Sequence, residues 1–345
     1  MSKPIILTGL RANNNLTIGN YFGAMLPIID MAKKRSADYQ VNMFIPDLHS
    51  ITTPVDYSAL NNQIFSTAKH FIAAGLPLDN PDIFIYRQSY ISAHSELAWI
   101  LDCFTGIGEM SRMTQFKDKS EGIGDDRVSM GLFNYPVLMA ADVLLYGADY
   151  VPVGDDQTQH LEFTRDIGQR INNQFGETFV IPKSVKEQHA FFGKEQGLRI
   201  KDLQDPSKKM SKSDEFGKGV IFLNDTPELA ARKVMSAVTD EHAHVRFDRT
   251  NQPGISNLLE ILALLQSRDL NEVIAEFEGQ TLYGDFKVIV AEEVRRFLIE
   301  FQKNLSEVDE SLVLQKLEQS ENQLSLTANQ TLLRAQQAVG LRSRI

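Results

Sequence analysis

Along the first half of the chain, short unbroken apolar runs alternate with longer stretches in which apolar residues recur every three or four positions. Ile5-Ile6-Leu7, Met43-Phe44-Ile45 and Ile83-Phe84-Ile85-Tyr86 read as strands. Between them, Tyr21 to Lys34 and Ser58 to Ala74 carry the helical period, the second through Leu60, Ile64, Phe65, Ala68, Phe71 and Ile72. This rhythm predicts an α/β fold, a parallel sheet covered on both faces by crossover helices. From about Asp214 the strand signal fades, and the runs 256–267, 284–303, 308–318 and 326–340 are charged and helically periodic. The expected division is therefore a sheet-containing domain over 1–213 and a helical domain over 214–345. Gly193 to Gly219 has little apolar periodicity and much Lys, Ser, Asp and Gly, so it reads as a mobile linker.

Composition narrows the setting. A length of 345 residues fits a large domain plus a smaller one. No run of about 18 apolar residues exists to span a bilayer, and the N-terminal Ile5-Ile6-Leu7 is too short for a secretion signal, so a cytoplasmic location is expected. Cys103 is the single cysteine, which rules out a disulfide framework or a cysteine zinc site within one chain. The formal net charge of -10 argues against attraction to nucleic acid over the whole surface, and any RNA contact must be local.

Four constellations carry chemistry. Thr8-Gly9-Leu10 leads through Arg11-Ala12-Asn13-Asn14-Asn15 into Leu16-Thr17-Ile18-Gly19-Asn20, a loop from the first strand into a helix start. Free backbone N–H groups and the positive end of the helix dipole suit a polyphosphate there, although the same residues also make an ordinary helix cap. Lys208-Lys209-Met210-Ser211-Lys212-Ser213-Asp214 sets Lys209 and Lys212 in one loop, where each can meet negative charge as a phosphoanhydride breaks. Gly154-Asp155-Asp156-Gln157 follows the apolar Tyr150-Val151-Pro152-Val153 and puts polar groups where a strand feeds a helix, as a ligand contact or as a cap; His160 reads equally as a core histidine. Within Tyr135-Pro136-Val137-Leu138-Met139-Ala140-Ala141-Asp142, Met139 and Asp142 share a helix face, and a carboxylate amid Leu, Met, Ala and Val needs a partner.

Other nucleotide chemistry fails on spacing. A phosphate loop ending in Gly-Lys-Ser or Gly-Lys-Thr is absent, because Gly193-Lys194 precedes Glu195 and Gly217-Lys218 precedes Gly219. His242-Ala243-His244 reads as a surface pair rather than a metal site.

These residues resemble the class I aminoacyl-tRNA synthetases, and within them the bacterial tryptophan branch. Thr17-Ile18-Gly19-Asn20 is similar to the first signature of that class, and Lys209 to Ser213 spells the second, KMSKS. The likeness extends through Gly108 to Ser120, Leu138 to Tyr146, Val151 to Arg165, Ala237 to Asp240 and Gly254 to Leu259, nearly end to end. The resemblance implies a Rossmann-like parallel-sheet catalytic domain with a C-terminal helical, anticodon-binding domain. It implies that Thr17, Gly19 and Asn20 hold the ATP phosphates, with Arg11, Ala12 and Asn13 beside them. Lys119, Lys209 and Lys212 would stabilise the pyrophosphate, with Met210, Ser211 and Ser213 in the same loop. Gly154, Asp155 and Asp156 would meet the ribose side and Ile200 the adenine, while His49, Tyr135, Met139, Asp142, Val151, Val153 and Gln157 would form the amino-acid pocket. ATP with Mg²⁺, tRNA(Trp), L-tryptophan and a homodimer are implied too. Two departures stand out: Arg11-Ala12-Asn13-Asn14 where the family usually has Gln-Pro-Ser-Gly, and Leu48 where a Gln commonly precedes His49.

Met139 bears on the substrate. The tyrosine branch pairs its pocket Tyr with a Gln at this position, whereas a thioether suits an indole face and offers nothing adequate to a phenol hydroxyl. Asp142 can accept from the donor-only indole N–H. The expected reaction is attack of the tryptophan carboxylate on the α-phosphorus of ATP, then transfer of the acyl group to the terminal adenosine of tRNA. Two rivals are a small-molecule nucleotidyltransferase, which would not need the helical region, and a catalytically silent RNA-binding relative, which would have no reason to keep Lys209 and Lys212. The last 14 residues, Leu332 to Ile345, hold Arg334, Arg342 and Arg344 with no acid, which suits either a phosphate contact or a solvated helix end.

Overall fold

Strands β1 (Ile5–Gly9), β2 (Gln40–Ile45) and β3 (Ile83–Arg87) pair in parallel in the order β1-β2-β3. They are the three strands read from the sequence, and the structure, a computed structural model, describes residues 3–9, 16–115, 128–154, 157–193, 200–210 and 217–343. Val41 stands opposite Ile6 on one side and Ile83 on the other, and Tyr150 adds a parallel rung on Ile6. Successive residues face opposite ways: Ile6, Val41, Met43, Ile83 and Ile85 enter one core, and Leu7, Phe84 and Tyr86 a second. With both faces buried, both strand parities must be apolar, which is why the strands read as unbroken runs.

The connection from β1 to β2 runs through α1 (Ile18–Asn20), a π-helical turn (Tyr21–Met25) and α2 (Leu26–Arg35). From β2 to β3 it runs through α3 (Asp47–Ser50) and α4 (Leu60–Ala73). The second core is built with α5 (Ala93–Asp102), α6 (Ile107–Met110), α7 (Met130–Tyr146), α8 (Thr158–Phe175) and α9 (Val185–Phe192). Every residue of α7 from Ala140 to Tyr146 is buried, as expected of a helix apolar on all sides, and Asp142 is its only charge.

Helices α10 (Pro227–Met235), α11 (Pro253–Gln266), α12 (Leu270–Phe277), α13 (Tyr283–Ser306) and α14 (Glu310–Ala338) follow. The runs 308–318 and 326–340, separate in the sequence pattern, belong to this single last helix. Its buried face turns polar between them: Ser320 Oγ accepts from Ile85 N at 3.3 Å and Glu321 Oε1 from Arg87 N at 3.1 Å. The helix thus covers the open edge of β3 with side-chain acceptors in place of a neighbouring strand. Val313 and Leu317 join the first core and Leu324, Ala328, Leu332 and Ala335 the second, so residues from both sides of position 214 share each core.

The stretch Gly193 to Gly219 departs from its reading as a linker where it is described. Ile200, Leu203 and Met210 are buried, and Lys201 pairs antiparallel with Lys209. Backbone pairing rather than an apolar helix face holds this segment, so no periodicity marked it. Among the described residues no helix is long and apolar enough to cross a membrane.

Candidate active site

The carboxyl ends of β1, β2 and β3 open toward one region, the edge at which parallel α/β sheets bind ligands. Just past β2, Asp47 at the start of α3 ties that helix to the chain just past β3, accepting from Ser89 N at 2.8 Å and Ser89 Oγ at 2.5 Å. That stitch draws His49, which follows β2, toward Gln88, which follows β3, and both reach Asp142. His49 Nε2 lies 2.9 Å from Asp142 Oδ2, Gln88 Nε2 donates to Oδ1 at 2.7 Å, and His94 Nδ1 lies 2.6 Å from Oδ1. Gln88 Oε1 in turn accepts from Leu48 N at 3.2 Å, and His94 Nε2 sits 2.9 Å from the Tyr146 hydroxyl.

Asp142 is 1% exposed. Burial pushes its carboxyl up, but the hydrogen bonds and charges of His49 and His94 outweigh that and hold it below its ordinary value. Burial likewise pushes the Tyr146 hydroxyl well up, so this group stays protonated. A carboxylate has about four lone-pair positions, and the three contacts on Asp142 leave room for one more donor.

Tyr135, Met139 and Asp142 lie on one face of α7. The Tyr135 hydroxyl is 3.0 Å from Nε2 of His160, which is fully buried, so His160 supports the pocket from behind. His49 meets the Tyr135 ring edge-on with centroids 6.2 Å apart. Val151 is buried with its N–H on Gln188 Oε1 at 3.0 Å, while Met139, Val153 and Gln157 are half-buried and Gly154 is exposed. The sequence reading missed Gln88, His94, Tyr146 and Gln188. A glutamine ending an apolar strand, and a histidine between Ala93 and Leu97 on an apolar helix, were the available signals.

A second group forms beside β1. Leu223 N donates to Leu16 O at 2.8 Å and Ile18 N to Ile221 O at 3.0 Å, which pins the start of α1 to the chain beyond the lysine-rich segment. Thr17 caps the helix by accepting from Asn20 N, and Asn20 Oδ1 accepts from Thr17 N, each at 3.1 Å. The capping role left open by the sequence is thus present. A Cβ on Gly19 would lie 3.6 Å from Met210 Cβ, so the two signature segments touch. Met210 is buried with its N–H on Ile200 O at 3.1 Å, and Lys209 is exposed next to it. Arg11, Ala12, Asn13, Lys119, Asp155, Asp156, Ser211, Lys212 and Ser213 lie outside the described residues.

Residues 1–299 match the family described as tRNA synthetases class I (W and Y). The chain is 43% identical over 336 residues to the tryptophan–tRNA ligase of Caldanaerobacter subterraneus, covering 97% of this chain and 98% of that one. It is 42% identical to the tryptophan–tRNA ligase of Bacillus subtilis, over 98% of both chains. The crystal structure of tryptophanyl-tRNA synthetase from Mycoplasma pneumoniae superposes with a TM-score of 0.81 at 34% identity over 99% of each chain. The Campylobacter jejuni enzyme, solved with ADP and tryptophan, gives 0.79 at 30% identity, over 97% of this chain and 99% of that one.

Proposed function

This chain belongs to the class I tRNA synthetases of the tryptophan and tyrosine group, and from that premise we infer that it is a tryptophan–tRNA ligase. It activates L-tryptophan with ATP and transfers the tryptophanyl group to tRNA(Trp). The observation that carries the substrate assignment is Asp142, a buried carboxylate on the face of α7 that also bears Tyr135 and Met139, with an acceptor position to spare. An indole N–H fills that position and the Met139 thioether lies against the ring. His49, Val151, Val153 and Gln157 complete the pocket.

In the first step a carboxylate oxygen of tryptophan bonds to the α-phosphorus of ATP, and the bond from that phosphorus to the bridging oxygen breaks to release pyrophosphate. In the second, the 2′-hydroxyl of the terminal adenosine bonds to the acyl carbon, loses its proton and expels AMP. Neither step needs a protein nucleophile, since positioning and charge stabilisation carry phosphoryl transfer. Thr17, Gly19 and Asn20 receive the phosphates; the carbonyl of Asn20 serves the helix cap, which leaves its amide nitrogen for an oxyanion. Lys209, Lys212 and Lys119 meet the charge of the departing pyrophosphate, with Met210, Ser211 and Ser213 shaping the loop. Gly154, Asp155 and Asp156 serve the ribose, Ile200 the adenine, and Arg11, Ala12 and Asn13 the triphosphate side. ATP enters as its Mg²⁺ complex. Among the described residues no group of three His, Cys, Asp or Glu could hold a metal ion, and the cation is assigned to the phosphates it accompanies.

The helices from 214 onward are assigned to the tRNA, the protein works as a homodimer, and its place is the cytoplasm. Exchange of labelled pyrophosphate into ATP tests the reading. Tryptophan should support exchange and tyrosine should not; exchange without any amino acid, or none at all, would sink it.

A further inference from the structure

Asn257 lies on α11, far along the chain from both signature segments, and is 2% exposed. Its amide closes a ring with one backbone residue: Oδ1 accepts from Lys201 N at 2.8 Å and Nδ2 donates to Lys201 O at 3.0 Å. That is the pairing a neighbouring strand would offer, supplied by a side chain. On its other side Lys201 pairs antiparallel with Lys209, flanked by Asp202 N on Lys208 O and Met210 N on Ile200 O, each at 3.1 Å. The start of α11 is fixed in turn. A Cβ on Gly254 would fall 2.1 Å from Val238 O, so only glycine allows this approach, and Val238 N donates to Leu203 O at 2.8 Å. The segment 200–203 is therefore gripped by α11 directly and through Val238. Beyond it, Met210 rests against Gly19.

We propose that Asn257 is a positioning residue for the activation step: by holding Lys201 it sets the backbone of Lys209 and Met210 against the helix start that receives the phosphates. The inference rests on the reading of Lys209 as a group that stabilises pyrophosphate. It separates the two half-reactions, because pyrophosphate has already left when the acyl group moves to tRNA. Asn257 then governs activation and leaves acyl transfer alone. A displacement of about 1 Å in a catalytic group costs on the order of 10²-fold in rate.

The test uses the full-length protein and Asn257→Asp, which keeps the shape and one acceptor but turns an oxygen toward Lys201 O. Pyrophosphate exchange should fall about 10- to 100-fold, while single-turnover transfer of tryptophan from isolated adenylate to tRNA stays within about twofold and the KM for tryptophan is unchanged. On a Lys209→Ala background the same change should cost no more than about twofold, because the two act through one position. If Asn257→Asp does not fold, Asn257→Ser carries the same comparison. An undiminished exchange rate, an equal loss in both half-reactions, or a full additional loss on the Lys209→Ala background would overturn the proposal. Undiminished exchange in Lys209→Ala alone would instead remove the reading of Lys209 on which the proposal stands, so the two failures are distinguishable.

Discussion

At the scale of single residues, Asp142 does two things at once. It accepts from Gln88 and contacts His49 and His94, and in the functional reading it also accepts the substrate's indole N–H. Asp142→Ala removes the acceptor for all of them, so the melting temperature should fall along with activity. The substrate-specific part is read by comparing tryptophan with an analogue carrying sulfur in place of the indole nitrogen. Efficiency for tryptophan should drop by a further factor of about 10 to 100, from a hydrogen bond to a charged group of roughly 1.5–3 kcal/mol. Equal losses with both substrates would make Asp142 purely structural. The same carboxylate predicts a pH effect. Its folded value lies below its ordinary 3.8, so its charge contributes stability at pH above 3.8, and that contribution is lost as the pH falls through the lower folded value. In urea unfolding, the stability difference between the native protein and Asp142→Asn should be level above pH 3.8 and shrink as the pH falls from 3.8 through the folded value; a difference that stays level into strong acid would contradict the assignment.

At the scale of elements, α14 substitutes for a strand at the edge of β3. The Glu321 carboxylate holds Arg87 through its backbone N–H, through Nε at 2.6 Å and through a terminal guanidinium nitrogen at 2.7 Å, with Arg87 and Glu321 only 8% and 6% exposed. Glu321→Ala would strand a buried guanidinium and should cost about 3–5 kcal/mol of unfolding free energy. Because Gln88 follows Arg87 directly and touches Asp142, a rise in the KM for tryptophan should accompany that loss. A change below about 1 kcal/mol in chemical denaturation would mean that the pair is solvated in solution. This helix also marks a limit of sequence reading: Ser320 and Glu321 break its apolar period because they face a backbone edge and not a core.

At the scale of the molecule, the exposed apolar residues bear on assembly. Trp99, Ile107 and Met130 are 71%, 77% and 75% exposed and lie on α5, α6 and α7, where α7 packs against both of the others. Large apolar side chains left in water on adjoining elements suit contact with a second copy. Trp99→Glu should shift sedimentation from dimer to monomer at micromolar concentration while leaving the far-ultraviolet circular dichroism unchanged; a dimer that persists would place the contact elsewhere.

The sequence alone determined what local pattern can determine. Three apolar runs read as strands of a sheet covered on both faces, and the literal Lys209 to Ser213 signature named the chemistry, because a short motif is legible whatever the fold around it. The face shared by Met139 and Asp142 followed from helical geometry. What the sequence left open was long-range pairing. Gln88, His94 and His49 are brought to Asp142 by three different elements, His160 is fixed by a tyrosine, Asn257 stands in for a strand, and α14 returns to β3. Each of these is a polar side chain whose partner is chosen by the tertiary fold. A buried polar group must find a partner, but its own residue type does not say which, so only the packed chain decides.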